Sequence, residues 1–277
     1  MLDHGTMQRS DHQLLDEFSF ELDRIEQLIP MLASYSRIDP YIIDCQQAGT
    51  HFRLLIYHRE SQLWFDRQNY IDAALIHFQE HALIKPGDTV FDLGCNSGFV
   101  TTWFAKKVGP AGRVLAFDPF PWNTLATAFS ARLNGCGNVK CLTVGISDAA
   151  RVVRIPSIDS KTDENPTLEA HGTFEAKLLP LDQFASYQPN FIKVDIEGAE
   201  RHLLAGGTCL LHQSPRPNWF LEIHNQFIRD AGHVPEQIAC DFLAQHYNCR
   251  IHHPLGPVFK IADALPEGCA LFAFANS

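Results

Sequence analysis

The sequence predicts an α/β protein whose sheet is mostly parallel and carries helices on both faces. Three observations predict it: the segment TVFDLGCNSG at 89–98, a second strand-like segment VLAFD ending in Asp118, and regular strand–helix alternation between them and beyond. Val90, Phe91 and Leu93 make a short apolar run, as expected of a strand buried on both faces. Gly94 and Gly98 bracket a tight turn into the helix that Phe99 begins. Glycine lets the backbone turn sharply and a ligand approach without a Cβ in the way. Asp118 follows Gly94 by twenty-four residues, close to where such folds place the carboxylate that holds a ribose. The pairing points to a nucleoside cofactor.

In chain order, residues 11–34 carry Leu15, Phe18, Leu22, Ile25, Ile29 and Leu32 at helical spacing, so a helix with one apolar stripe is expected. It would pack on the chain's own core or mediate a homodimer. Tyr41–Cys45 and Phe52–Tyr57, separated by QQAGT, read as a hairpin. A helix over about 68–83 leads through KPGD into the glycine turn. Helices are then expected at about 98–107 and 121–134, and a third strand at Val139–Val144. Val152–Ile155 and Ala176–Leu179 look antiparallel, joined by a polar stretch. FIKVD at 191–195, a helix at about 198–211, WFLEI at 219–223, a helix at about 235–246 and the closing strand CALFAFA at 269–275 complete the pattern. Such alternation implies right-handed crossovers. Residues 1–66 are expected to form a helical and hairpin extension, and 67–277 the cofactor-binding domain.

Composition narrows the function. A formal net charge of −10 argues against a phosphate-tracking nucleic-acid binder. The eight cysteines stand singly with no CxxC pair, which suits reduced thiols in a cytoplasmic protein. The N-terminus MLDHGTMQRSDHQ is polar and acidic, so neither a signal peptide nor a membrane span is expected.

The turn also narrows the cofactor. A dinucleotide site normally reads GxGxxG, whereas here Asn96 holds the middle position and no third glycine follows Gly98. There is no Lys or Arg in the turn to neutralise a phosphate, and Asp92 places a negative charge beside it. S-adenosylmethionine fits, having a sulfonium, an α-ammonium, a ribose diol and no phosphate. Backbone groups of Gly94, Cys95, Asn96, Ser97 and Gly98 would face its methionine part. Asp118, followed by Pro119, would accept the ribose hydroxyls. Ser147 and Asp148, after the third strand, would lie against the adenine. A plain nucleoside-binding turn, with each acid a solvated loop residue, is the bland alternative.

The combination of FDLGCNSG, VLAFDP, LPLDQF and above all FIKVDIEGAERHLLAGG resembles the FkbM family of S-adenosylmethionine-dependent methyltransferases. The resemblance covers about residues 65–225. It implies a class I (Rossmann-like) methyltransferase fold with a seven-stranded sheet, and O-methylation of a hydroxyl on a sugar, polyketide or other small molecule or glycan. Family members often have Glu where this chain has Asp118, and GANIG where it has GCNSG. Residues 1–40 match nothing in the family.

Two further strands bring chemistry to the same crevice. Asp195 and Glu197 are two apart after FIKV, and Glu222 and His224 are two apart in WFLEIHN. Ligands of open α/β sheets bind outside the carboxyl ends of the strands. An alcohol must begin to lose its proton before it attacks, so a base or a metal has to assist. His224, with an ordinary pKa of about 6.5, is the preferred base, oriented by Glu222 or Asp195. In the rival arrangement Asp195, Glu222 and His224 bind Mg²⁺ or another divalent ion. A purely structural His224 is the third reading. The competing functions are a nicotinamide-dependent oxidoreductase, disfavoured by the missing GxGxxG, and a non-catalytic nucleoside-binding or scaffolding protein. His77 and His81, at i, i+4, have ligand spacing but read as packing residues without a third ligand.

Overall fold

The computed structural model describes residues 38–67, 70, 72–156, 173–230, 232–252, 258–259 and 269–275. The expected N-terminal helix at 11–34 and most of the polar stretch after Ile155 lie outside the described residues.

The hairpin forms from strands β1 (Tyr41–Gln47) and β2 (Thr50–Ile56), paired antiparallel from Tyr41↔Ile56 to Gln47↔Thr50. Its two-residue turn, Ala48 and Gly49, has positive φ at both positions (42° and 72°), the geometry whose twist matches that of paired strands. A short helix α1 (Arg59–Phe65) and then α2 (Ala73–Glu80) lead to β3 (Thr89–Leu93). Helix α1 has no counterpart among the sequence expectations. His58 caps it, accepting from the Ser61 amide through Nδ1 at 2.8 Å, while the Ser61 hydroxyl answers to the His58 backbone.

The central alternation follows the sequence pattern: α3 (Phe99–Val108), β4 (Arg113–Asp118), α4 (Pro121–Leu133) and β5 (Val139–Thr143). Then come β6 (Gly145–Ser147), β7 (Arg151–Pro156) and β8 (Thr173–Pro180), which form a separate three-stranded sheet ordered β6-β8-β7. A 3₁₀ turn (Leu181–Tyr187) precedes β9 (Phe191–Val194). The expected helix at 198–211 is two helices, α5 (Glu200–Gly206) and α6 (Thr208–His212). A Cβ on Gly206 would lie 2.0 Å from the Ser147 carbonyl oxygen, so the backbone of α5 sits directly against β6. The chain closes with β10 (Asn218–Ile223), α7 (Asn225–Asp230), α8 (Glu236–Ala244), β11 (Asn248–His252), β12 (Val258–Phe259) and β13 (Cys269–Phe274).

The main sheet runs β12-β11-β13-β10-β9-β3-β4-β5. Seven strands form the body, and two-residue β12 extends its edge. β10-β9-β3-β4-β5 are parallel, while β13 runs antiparallel to both neighbours. Strand alternation sends Val90 and Phe191 into one layer, with Phe52, Phe78, Phe99 and Trp103. Phe91, Leu93, Ile192 and Val194 go into the other, with Leu181, Leu203, Trp219 and Phe242. The hairpin therefore shares one buried cluster with α2, α3 and α4. Its strand β2 is tied to α4 by Arg53 N–H donating to Asn134 Oδ1 at 2.9 Å and Leu55 N–H to Ser130 Oγ at 3.1 Å.

The topology carries a functional consequence. The parallel strands end together at Leu93, Asp118, Val194 and Ile223, so every loop that follows them opens on one edge. Among the described residues, no helix is long and apolar enough to cross a membrane.

Candidate active site

The turn after β3 is built from left-handed residues: Gly94 (φ 81°), Asn96 (47°) and Gly98 (84°). Gly94 and Cys95 donate their amides to the Phe117 carbonyl at 2.8 and 3.0 Å, which pins the turn to the end of β4. A Cβ on Gly94 would lie 1.8 Å from the Asp195 carbonyl oxygen, and one on Gly98 2.7 Å from Thr127 Cα. The Thr127 hydroxyl closes the other side, donating to the Asn96 carbonyl at 2.9 Å and facing Cys95 Sγ at 3.4 Å. Cys95 and Ser97 are buried, with Ser97 Oγ donating to Asn96 Oδ1 at 2.9 Å.

Asp118 lies beside this turn and is held by three donors. Its Oδ1 accepts from Phe120 N–H at 2.9 Å and Asn123 Nδ2 at 3.0 Å, and its Oδ2 from Asn96 N–H at 3.1 Å. Tyr57, at the end of the hairpin, donates to Asn123 Oδ1 and so fixes that amide. Burial outweighs the three donors and pushes the Asp118 pKa up to about 6. Only the ionised carboxylate is a pure acceptor for two hydroxyls. Because the folded pKa is raised, cofactor affinity should level off only well above pH 6 and fall as pH drops through 6, and Asp118→Asn should flatten that fall. Calorimetric titration with S-adenosylhomocysteine across pH 5–8 checks it. A flat wild-type profile would contradict the ribose role.

Asp92 is not beside the crevice. It is fully buried behind the turn, accepts from the Thr101 hydroxyl, and lies 3.3 Å from the Lys193 ammonium. Lys193 is the residue that sequence reasoning missed. It is the one cation inside the apolar strand FIKV, and that placement was the available signal. Its ammonium donates to the Gly94 carbonyl at 3.1 Å and to Asp195 Oδ2 at 3.2 Å. Burial works against its charge, but Asp195, Asp92 and Glu222 raise its pKa further than burial lowers it. Lys193 thus clamps the turn after β3 to the end of β9.

Ser147 and Asp148 lie together at the end of β6, with Ser147 Oγ donating to Asp148 Oδ1 at 2.9 Å. Arg151 engages both, at 2.6 Å to Ser147 Oγ and 2.6 Å to Asp148 Oδ1. Its guanidinium holds the Asp148 pKa well below the usual range, with help from Ser147. His202 Nδ1 stands 3.9 Å from Asp148 Oδ2, so His202 belongs to this group. Pro119 follows Asp118 directly, at the start of the segment leading to α4.

Beyond β9 the chain turns through Glu197 (φ 54°) and Gly198 (φ 95°), where a Cβ would strike Phe227 at 2.6 Å. Asp195, Glu197 and His224 converge there. His224 Nε2 lies 3.6 Å from Asp195 Oδ1 and 3.6 Å from Glu197 Oε2, and one ligand atom from each residue falls within 4.8 Å of the others. On its other side, His224 Nδ1–H donates to Glu200 Oε1 at 3.0 Å. Burial opposes the imidazole's charge. The bond to Glu200 and the charges of Asp195, Glu197 and Glu200 overcome it and push the pKa up to about 9. The expectation of an imidazole near its ordinary value is therefore corrected: the surrounding acids shift it upward, toward the charged form.

The expected metal set of Asp195, Glu222 and His224 is corrected as well. The grouping that forms contains Glu197 in place of Glu222. β10 ends at Ile223, so the two-residue alternation that paired Glu222 with His224 stops before His224. Glu222 is mostly buried, and burial together with the charge of Asp195 pushes its pKa up to about 7. Its charge is also felt by Tyr70 and Asp72, on the α2 side. His77 stacks on His81 (4.0 Å) and against Phe272 (4.2 Å), a packing arrangement.

The strand order and this edge define a class I, S-adenosylmethionine-dependent methyltransferase. The model of the FkbM methyltransferase domain matches residues 92–246, more than half of the 277, and the chain belongs to that family. Similar solved structures include an S-adenosylmethionine-dependent O-methyltransferase from Thermotoga maritima, with 11% identity, 83% of this chain and 76% of that one covered, and a TM-score of 0.47. Another is an O-methyltransferase of Streptomyces achromogenes involved in tomaymycin synthesis, with 12% identity, 74% and 79% covered, and a TM-score of 0.44. A Schizosaccharomyces pombe protein named as a candidate ribosomal RNA methyltransferase is 51% identical over 43 residues, 16% of this chain. The match spans 14% of that relative's length.

Proposed function

We propose that the protein transfers a methyl group from S-adenosylmethionine to a hydroxyl oxygen of a small molecule or glycan. The observation that supports it most is the crowding of Asp195, Glu197, Glu200 and His224 at the ends of β9 and β10, next to a glycine turn with a ribose-type acid. A negatively charged edge favours a cationic donor and also offers acceptors for the proton that an alcohol must release.

The bound cofactor would supply an electrophilic methyl carbon on a sulfonium. The chain's own residues then do the positioning. Asp118 would accept the ribose hydroxyls, the Gly94–Gly98 backbone would lie along the methionine part, and Ser147 and Asp148 would border the adenine. Asp195, Glu197 and His224 would face the acceptor, with Glu222 behind Asp195. As the oxygen–carbon bond forms and the sulfur–carbon bond breaks, the sulfur becomes neutral and the hydroxyl proton passes to the acidic cluster. Alignment of this kind contributes on the order of 7–11 kcal/mol.

The test is to supply methyl-labelled S-adenosylmethionine with a panel of sugars, polyketide alcohols and total RNA, and to locate the label by mass spectrometry. Label on oxygen of a sugar or polyketide is expected. Label on nitrogen, on carbon or on RNA would overturn the acceptor assignment. RNA is included because of the yeast relative's name, although a formal charge of −10 disfavours it.

A further inference from the structure

We propose that Asp195, Glu197 and His224 form a binding site for a divalent first-row cation of the Mn²⁺ type, oriented from behind by Glu200. The inference rests on the methyltransferase reading and deepens it, since an ion there would hold the acceptor's oxygen and ease the loss of its proton.

Geometry comes first. His224 Nε2 faces two carboxylate oxygens at 3.6 Å each. That is too long for the charge-assisted hydrogen bonds of about 2.7–2.9 Å expected of an imidazole meeting a carboxylate. It lies at the upper end of the spacing of neighbouring ligand atoms around one divalent ion, about 2.8–3.7 Å for metal–ligand bonds of about 2.0–2.6 Å. Glu197 reaches this position from a left-handed backbone (φ 54°), a conformation that a glutamate adopts at a cost and that the adjoining turn at Gly198 enforces.

The second observation lies behind the imidazole. Glu200 is fully buried, and its Oε1 accepts from His224 Nδ1 at 3.0 Å and from Gly198 N–H at 3.2 Å. Its Oε2 has no hydrogen-bond partner among the described residues. A carboxylate that engages Nδ1–H aims Nε2 at the two acids, the usual arrangement behind a metal-bound histidine, and the ion would take the place of the Nε2 proton. A buried acid with an unsatisfied oxygen is costly by itself, and it is retained here behind the imidazole. Charge points the same way. Four carboxyl groups, of Asp92, Asp195, Glu197 and Glu200, share one lysine, Lys193, and one imidazole. One nitrogen and two carboxylates suit Mn²⁺, Fe²⁺ or Zn²⁺ better than the all-oxygen preferences of Ca²⁺.

The test uses the full chain and titrates Mn²⁺ by electron paramagnetic resonance, with and without S-adenosylhomocysteine. One saturable ion per chain is expected. Glu197→Gln, whose side chain is 60% exposed and so least tied to folding, should weaken it at least about tenfold. Glu200→Gln should weaken it about 10–100-fold. Asp44→Asn, on an exposed carboxylate of β1, should leave it unchanged. Absence of a saturable site in the wild type, or equal affinity in Glu197→Gln, overturns the metal site. In either case S-adenosylhomocysteine binding is measured on the same samples: if it persists, only the cation is refuted, and if it is lost, the methyltransferase reading falls with it.

Discussion

Gly94→Ala should abolish measurable cofactor binding, with a loss of at least about a hundredfold. Gly94 has φ 81°, where an L-residue costs about 1–2 kcal/mol, and this is the smaller part of the effect. The new Cβ would stand 1.8 Å from the Asp195 carbonyl oxygen, which is backbone and cannot swing aside. The turn would have to lift off the end of β9, carrying with it the amides that bond to Phe117 and Asp118. Calorimetry with S-adenosylhomocysteine reads the loss, and urea unfolding shows whether the fold survives. A folded Gly94→Ala protein with wild-type affinity would mean that this turn does not cradle the ligand.

Lys193→Met should destabilise the chain by about 3–5 kcal/mol, because it strands a fully buried Asp92 carboxylate without its cation. The same change releases the Gly94 carbonyl and Asp195 Oδ2 from their shared donor. The double variant Asp92→Asn/Lys193→Met should recover much of the loss, since replacing both members of a buried pair removes the uncompensated charge. Urea midpoints at fixed pH measure both. A single-variant loss below about 1 kcal/mol would show that the clamp is not an ion pair of structural consequence.

The parts of this architecture that rest on local chemistry could be read from the chain before its structure. VFDLG and VLAFD were legible because parallel strands covered on both faces must be apolar throughout, and the glycines at 94 and 98 because the turn requires left-handed backbone. What escaped depends on contacts between distant segments. Helix α1 was hidden because RESQLWF is short and its cap is a histidine, a residue outside the usual N-cap set. The division of α5 from α6 falls at Gly207, beside the approach of Gly206 to Ser147, nearly sixty residues earlier. Lys193 was passed over because its partners, Asp92 and Gly94, are on a neighbouring strand a hundred residues away. At the candidate site, two-residue periodicity points Asp195, Glu197, Glu222 and His224 to one edge, and the metal set drawn from them takes Glu222 where the grouping that forms takes Glu197. Periodicity holds only within a strand, and both Glu197 and His224 lie beyond one. Glu200, inside the sequence signature IKVDIEGAE, takes its role from a residue outside it, His224, whose Nδ1 meets its Oε1.

The most direct test of the central claim is a crystal structure of the chain grown with S-adenosylhomocysteine. The ribose hydroxyls should meet Asp118, and the sulfur should look across the strand ends toward Asp195 and His224. A ligand-free edge at saturating concentration, or a ribose turned away from Asp118, would contradict the account.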